Sequence, residues 1–404
     1  MHTYFYPADS LFTITENYPE TLDVFVRQGF AQLADAEKRA SFGKALRLDI
    51  ALSMRQIDYD AFEKLLLAAI EGHANNKQIT DSSRLIRVKG LLPCPVRIPL
   101  QEKLELFIES CAVEGIQLDA QMKAASMGLD WISSEVEAAT TADELDDIYM
   151  SAGFDMFFEE RFFKRFTRDG SFVNPISWDR INPLFHNDKI DLRDPEGKHG
   201  IVAVVPAVFL VNTDMLDGRP IPDSWLSLCD PMYERSISLP VSDFDLFNAI
   251  LLTMKQRYGD SSVAALGRNM LKSLHPAQMV RSERQKTEKP AITIMPNFFT
   301  QMVREGSRMK AVWPNDGAII SPVFMIGKKA KGATMQAVAD FFAGKEVAEI
   351  LSHQGLFPSL HPEVDNRLPN TRQFMWLGWD YILNHNLNQE FDACQKLFDE
   401  AQLR

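Results

Sequence analysis

Three short segments carry the residues best suited to hold a small molecule: Cys94-Pro95, Ser151-Ala152-Gly153-Phe154 and Ser242-Asp243-Phe244-Asp245. Each follows an apolar run of strand character and leads into a helical one. In an open α/β sheet that is where ligands bind, beyond the carboxyl ends of strands, where helix starts present free N–H groups. Ser242 and Asp245 also match a capping-box spacing, which would give them a purely structural role. Asp243 and Asp245 argue against a plain anion site, because two carboxylates repel a dianion. Together with Asp316 they suit a cationic or hydroxyl-rich ligand.

A fourth segment, Asn297-Phe298-Phe299, follows the apolar run Ala291–Met295. Its phenyl rings are either ordinary core or an aromatic wall for an organic ligand, with cation–π attraction if that ligand is charged. Cys94, between two prolines, is either a buried structural thiol or a ligand contact. His275, ahead of Pro276 and near Met279, either lines the second half of the molecule or is a satisfied histidine. The remaining histidines have no HxH or HxxxH spacing, and the four cysteines have no CxxC, so no zinc site is expected. Walker A, GxSxG and GxGxxG motifs are absent, which leaves an enzyme as the second hypothesis, with Cys94, His275 or Asp243 as working groups.

The elements that must position these residues read as α/β. Strands are expected at Leu85–Leu92, Ile148–Met150, Ile201–Asn212, Ile237–Pro240 and Ala291–Met295. A second long strand lies within Lys310–Ile326, interrupted by Trp313-Pro314-Asn315-Asp316-Gly317. Helical runs alternate with them, among them one with Phe244, Phe247, Ile250, Leu251 and Met254 on one face. Residues 1–75 differ in texture. Leu22, Phe25, Val26 and Phe30 recur at helical spacing with Gly29 as a stop, and Phe62, Leu65, Leu66, Ala69 and Ile70 form a second stripe. The polar stretch 76–83 reads as a linker. Asp143-Glu144-Leu145-Asp146-Asp147 reads as a solvated helix face.

The 404 residues allow two or three folded units. A formal charge of −12 excludes a general phosphate-backbone binder, so no nucleic-acid partner is expected. No apolar run approaches the ~20 residues of a spanning helix, so membrane insertion is not expected either. The opening MHTYFYPADSLFTITENYPE has neither a basic start nor an apolar core, so the expected location is cytoplasmic, or periplasmic if an export signal has been removed.

The order of these segments resembles the type II periplasmic binding protein fold, in the iron-like branch of ABC-importer solute-binding components. The resemblance rests on four marks within residues 84–385. They are Gly90-Leu91-Leu92-Pro93-Cys94-Pro95 after the first strand, Val205-Pro206-Ala207-Val208-Phe209-Leu210-Val211-Asn212 at a first crossing between lobes, Trp313 to Pro322 at the return crossing, and Gly344-Lys345-Glu346-Val347-Ala348-Glu349-Ile350-Leu351 in a late helix. It implies lobe I from 84–205 and 325–404, lobe II from 206–324, hinge closure around a small molecule, no cofactor and no catalysis. The iron-binding branch usually carries consecutive tyrosines where this chain has Asn297-Phe298-Phe299, and no Tyr-Tyr pair occurs anywhere, so ferric binding by phenolates loses its ligands. Residues 9–70 resemble a small helical domain of unknown function found in redox-linked bacterial proteins, here without the cysteine pair after Gly29-Phe30. Such a module implies contact with a protein partner.

Overall fold

The computed structural model describes residues 4–55, 57–76, 84–92, 94–124, 128–241, 244–273, 289–304 and 306–403. Two compact units result, Met1–Ser83 and Arg84–Arg404. The first is helical, with helices at Leu11–Asn17, Thr21–Arg27, Leu48–Met54 and Tyr59–Asn76. Its core centres on Phe25, Phe30 and Phe62, whose rings meet at 5.3–6.4 Å. Gly29 ends the second helix at φ +95°: its N–H bonds Val26 O and the Phe30 N–H reaches back to Phe25 O, the double bond of a Schellman turn. In the last helix the buried stripe is Phe62, Leu66 and Ile70, while Leu65 faces water.

The second unit is built on a mixed sheet. Its main strands are β1 (Leu85–Leu92), β2 (Gln117–Ala124), β3 (Ile148–Ala152), β4 (Gly200–Asn212), β5 (Ile237–Leu239), β6 (Met270–Ser273), β7 (Ile292–Pro296), β8 (Met309–Val312) and β9 (Ala318–Lys328). The order is β2-β1-β3-β9-β4-β7-β5-β6, with β8 also on β4. β1, β2 and β3 are parallel to one another, and β9 runs antiparallel to both β3 and β4. The long, almost wholly apolar β4 belongs to both lobes. Its first half pairs with β9 and its second half with β7 and β8. Apolar side chains on both faces of such a strand mean that both faces are covered.

On one face of this sheet, α1 (Arg97–Val113) buries Leu100, Leu104 and Cys111 against Val88, Met150 and Met325. The other face is covered from the start of α2 (Asp155–Phe158) through α3 (Phe244–Tyr258), α4 (Asp260–Asn269) and the C-terminal α5 (Leu387–Gln402). One aromatic-rich core runs through all of these from Phe157 to Phe398. α5 joins it closely: Phe398 meets the Phe247 ring at 5.4 Å, and its carbonyl lies where a Cβ on Gly267 would stand. These are contacts with helices of the 206–324 segment, although the sequence reading grouped 325–404 with lobe I.

The acidic run 143–147 corrects an expectation. Asp146 and Asp147 are buried. Asp147 accepts the Arg87 N–H and lies 3.5 Å from the ammonium of buried Lys328, while Asp146 pairs with Lys89 at 3.1 Å. The run is a short turn entering β3, so its last carboxylates point inward and need cations, and a solvated helix face is ruled out.

Candidate functional site

The ends of β3 and β7 face one another across the paired long strands. β3 stops at Ala152, level with Val323 of β9 and Ala203 of β4. β7 approaches from the other lobe and stops at Pro296, level with Ala207. Measured along β4, the two ends are offset by four residues, about 13 Å at the rise of a strand, and β9 and β4 lie between them.

Two helices begin or run beside the end of β3. α2 starts at Asp155, immediately after Gly153, whose φ of +91° turns the chain while its N–H bonds Pro322 O of β9. α3 lies in the 206–324 segment and brings Asn248. Asn248 Nδ2 donates to both carboxylate oxygens of Asp155, each at 2.9 Å. This orientation fixes the amide, since a flipped oxygen would face the carboxylate. Asn248 Oδ1 is therefore turned away, and it has no hydrogen-bond partner although the residue is only 1% exposed. Burial pushes the Asp155 carboxyl up to about 6. Glu159 pushes in the same direction, against the Asn248 hydrogen bond and the Arg161 charge. Arg161 is committed to Glu159, which it meets at 2.5 Å.

On the edge of β4 the lobes also touch through rings. Phe298, in the 3-10 turn after β7, lies nearly parallel to Phe357, with ring centres 6.4 Å apart. Phe357 belongs to a segment bonded along β4 through Val204 N–H to Pro358 O, and it sits beside Val96 of the turn after β1. Phe298 is half-buried and also meets Phe299 edge-on, with ring centres 5.4 Å apart.

The residues expected from sequence divide into three groups. Asn297, Phe298 and Pro95 lie half-buried at strand ends, with Gly153 at the joint between β3 and β9. Three others are used elsewhere. Phe154 is 1% exposed, packed against Phe158, Phe324 and Trp376. Ser151 is buried inside β3 opposite Phe324, and its hydroxyl donates to Ala152 O, because it sits one residue short of the strand end. Asp316 accepts two bonds from the Trp225 N–H and one from Tyr258 Oη at 2.7 Å. That fastens the return crossing to the Trp225 turn and to α3 through Tyr258. For the third group, Ser242, Asp243 and His275 lie outside the described residues. Cys94, Phe244 and Asp245 are placed by backbone alone, Cys94 opening a 3-10 turn and the other two opening α3.

Sequence reasoning missed Asp155 and Asn248. The signal for Asn248 was a single amide inside Leu246-Phe247-Asn248-Ala249-Ile250-Leu251-Leu252, a polar group in a run that must be buried. A small, wholly apolar cavity between α1 and the sheet, lined by Leu91, Leu104, Met122, Met150 and Phe341, is a packing gap in lobe I. Among the described residues no group of three or more His, Cys, Asp or Glu could hold a metal ion. The hydroxyls of Tyr149, Tyr233, Tyr258 and Tyr381 are all engaged, with Glu135, Pro220, Asp316 and Glu390 respectively.

A family model described as bacterial extracellular solute-binding protein matches residues 143–385, more than half of the chain. The chain belongs to that family. It is a family of binding proteins, not enzymes, and its two-lobed architecture is the type II periplasmic-binding-protein fold expected above. Solved structures of similar fold include the Bordetella ferric binding protein, 12% identical, with a TM-score of 0.53 over 78% of this chain and 99% of that one. Apo FutA2 from Synechocystis PCC6803 is 14% identical, with a TM-score of 0.54 over 80% of this chain and 100% of that one. A two-component system protein that mediates signal transduction is 12% identical, with a TM-score of 0.55 over 77% and 100%. At these identities the likeness is one of fold. No curated protein matches the sequence.

Proposed function

We propose that this solute-binding protein captures a small organic molecule, and not a phenolate-held ferric ion, between the ends of β3 and β7. The observation that carries the reading is the Asp155–Asn248 pair, a polar contact between two segments 93 residues apart, beside the end of β3. Phe298 against Phe357 supplies a second contact between lobes, and an aromatic surface. A ligand touching both sides would stabilise the closed arrangement, which is how hinge closure is driven. Ser242, Asp243 and Asp245, leading into the helix that carries Asn248, belong to the same proposal. An engaged set of tyrosines speaks against the ferric alternative suggested by the Bordetella relative's name.

Capture of this kind serves either delivery to an ABC importer or sensing, and the likeness to a signal-transduction protein suits the second. In that reading the protein acts in the cytoplasm and the helical unit reports occupancy to a partner protein. The family's extracellular description suits delivery. Cell fractionation with an antibody decides between them, because a sensor stays with the cytoplasm and an importer component does not. No helix among the described residues is long and apolar enough to cross a membrane. Isothermal titration with solutes retained by the purified protein tests capture itself. One-to-one binding that Phe298→Ala weakens supports the proposal, and unchanged solute tightness in that variant would move the site elsewhere.

A further inference from the structure

We infer that the captured solute is an amine, whose ammonium group is held by Asp155 and Asn248 as the lobes close. The inference rests on the solute-binding reading and names the class of solute.

The pair presents acceptors. A carboxylate offers about four lone-pair directions, and the Asn248 amide uses two of them here. The amide is anchored by the contacts of Nδ2 with both carboxylate oxygens, leaving Oδ1 as a buried acceptor without a partner among the described residues. Among the described residues no Lys, Arg or His nitrogen lies within 4.0 Å of the Asp155 carboxylate, and the nearby Arg161 is 58% exposed and paired with Glu159. The charges that bear on Asp155 are Glu159 and Arg161, and the first of these makes the spot more acidic. Asp155 is thus a carboxylate pushed toward neutrality by burial, beside an orphan oxygen, at a contact between two segments 93 residues apart. An ammonium donates three hydrogen bonds and carries the missing charge, whereas a hydroxyl donates one and carries none. A carboxylate or phosphate solute would face two acids and is repelled.

The test uses the full chain and matched probes that differ only in their head group: primary amines from butylamine and putrescine to lysine amide, the corresponding alcohols, and the corresponding acids. Affinity is read by isothermal titration and melting temperature by fluorimetry. At least one amine is expected to bind one-to-one, with its alcohol about a hundredfold weaker, as expected when one partner of a buried charged pair is removed. Asp155→Asn, which keeps a hydrogen bond to Asn248, should lose a similar factor. Because butylamine and putrescine stay protonated between pH 5 and 8, wild-type affinity for them should fall about tenfold per pH unit below 6, a reading that needs no variant to fold. Amine binding unchanged in Asp155→Asn or flat across pH 5–8 overturns the inference, as does a panel in which no amine binds. An acid or alcohol that binds, and is weakened by Phe298→Ala, overturns the amine assignment while leaving the solute-binding reading intact.

Discussion

Asn248 Nδ2 of α3 lies 2.9 Å from both carboxylate oxygens of Asp155 at the start of α2, and so joins two segments 93 residues apart by a contact that leaves the amide oxygen without a partner among the described residues. A buried carbonyl-type oxygen without a donor costs roughly 1–3 kcal/mol. The ligand-free arrangement therefore bears a cost that a donor-bearing solute would remove.

Asp155 makes the same point through pH. Its folded value, raised to about 6, exceeds that of an unfolded aspartate near 3.8, so its charge opposes folding. The penalty is complete above pH 6 and is relieved as pH falls from 6 toward 4. Asp155→Asn is predicted to raise the melting temperature of the ligand-free protein at pH 7, by at most about 3 kcal/mol of stability, and to gain little at pH 4. A loss of stability at pH 7 would show the carboxylate to be a structural necessity.

Asp147 is predicted to behave in the opposite way. It satisfies the Arg87 N–H and faces buried Lys328. Asp147→Ala strands that lysine and should cost about 3 kcal/mol or more, the usual result of breaking a buried pair, measured by urea denaturation. A change below 1 kcal/mol would mean that the Lys328 bond to Leu145 O suffices.

Ferric citrate titrated into the protein is predicted to give no saturable visible charge-transfer band, since the tyrosine hydroxyls of the second unit are committed to other acceptors. A band that saturates near one equivalent would require phenolates to leave those partners.

Much of the fold was legible before any coordinates, and the exceptions share a cause. Interior strands such as β4 and β9 are apolar on both faces, and the limits of β4 in the sequence nearly match those in space, while β1 reads from its alternation, with Ile86 and Val88 buried and Arg87 exposed. β2 and β6 escaped notice, and they are the two ends of the sheet order. An edge strand such as Gln117-Leu118-Asp119-Ala120-Gln121-Met122-Lys123-Ala124 is half solvated and needs no apolar run. The site was read less well. Phe298 does follow a strand end and is half-buried, whereas Phe154 and Ser151 are buried in the core. Asp155 looks like an ordinary first-turn acid, and Asn248 is hidden by the apolar period of its helix. Their significance appears only when two segments about ninety residues apart are brought together, and no local pattern records that.

The most direct test of the central claim is native mass spectrometry of the wild-type protein and Asp155→Asn, purified side by side from the natural host under mild conditions. The account predicts a wild-type mass exceeding the polypeptide by one small organic molecule, absent from the variant. A wild-type mass equal to the bare polypeptide, or an excess equal to one iron ion that persists in the variant, would contradict it.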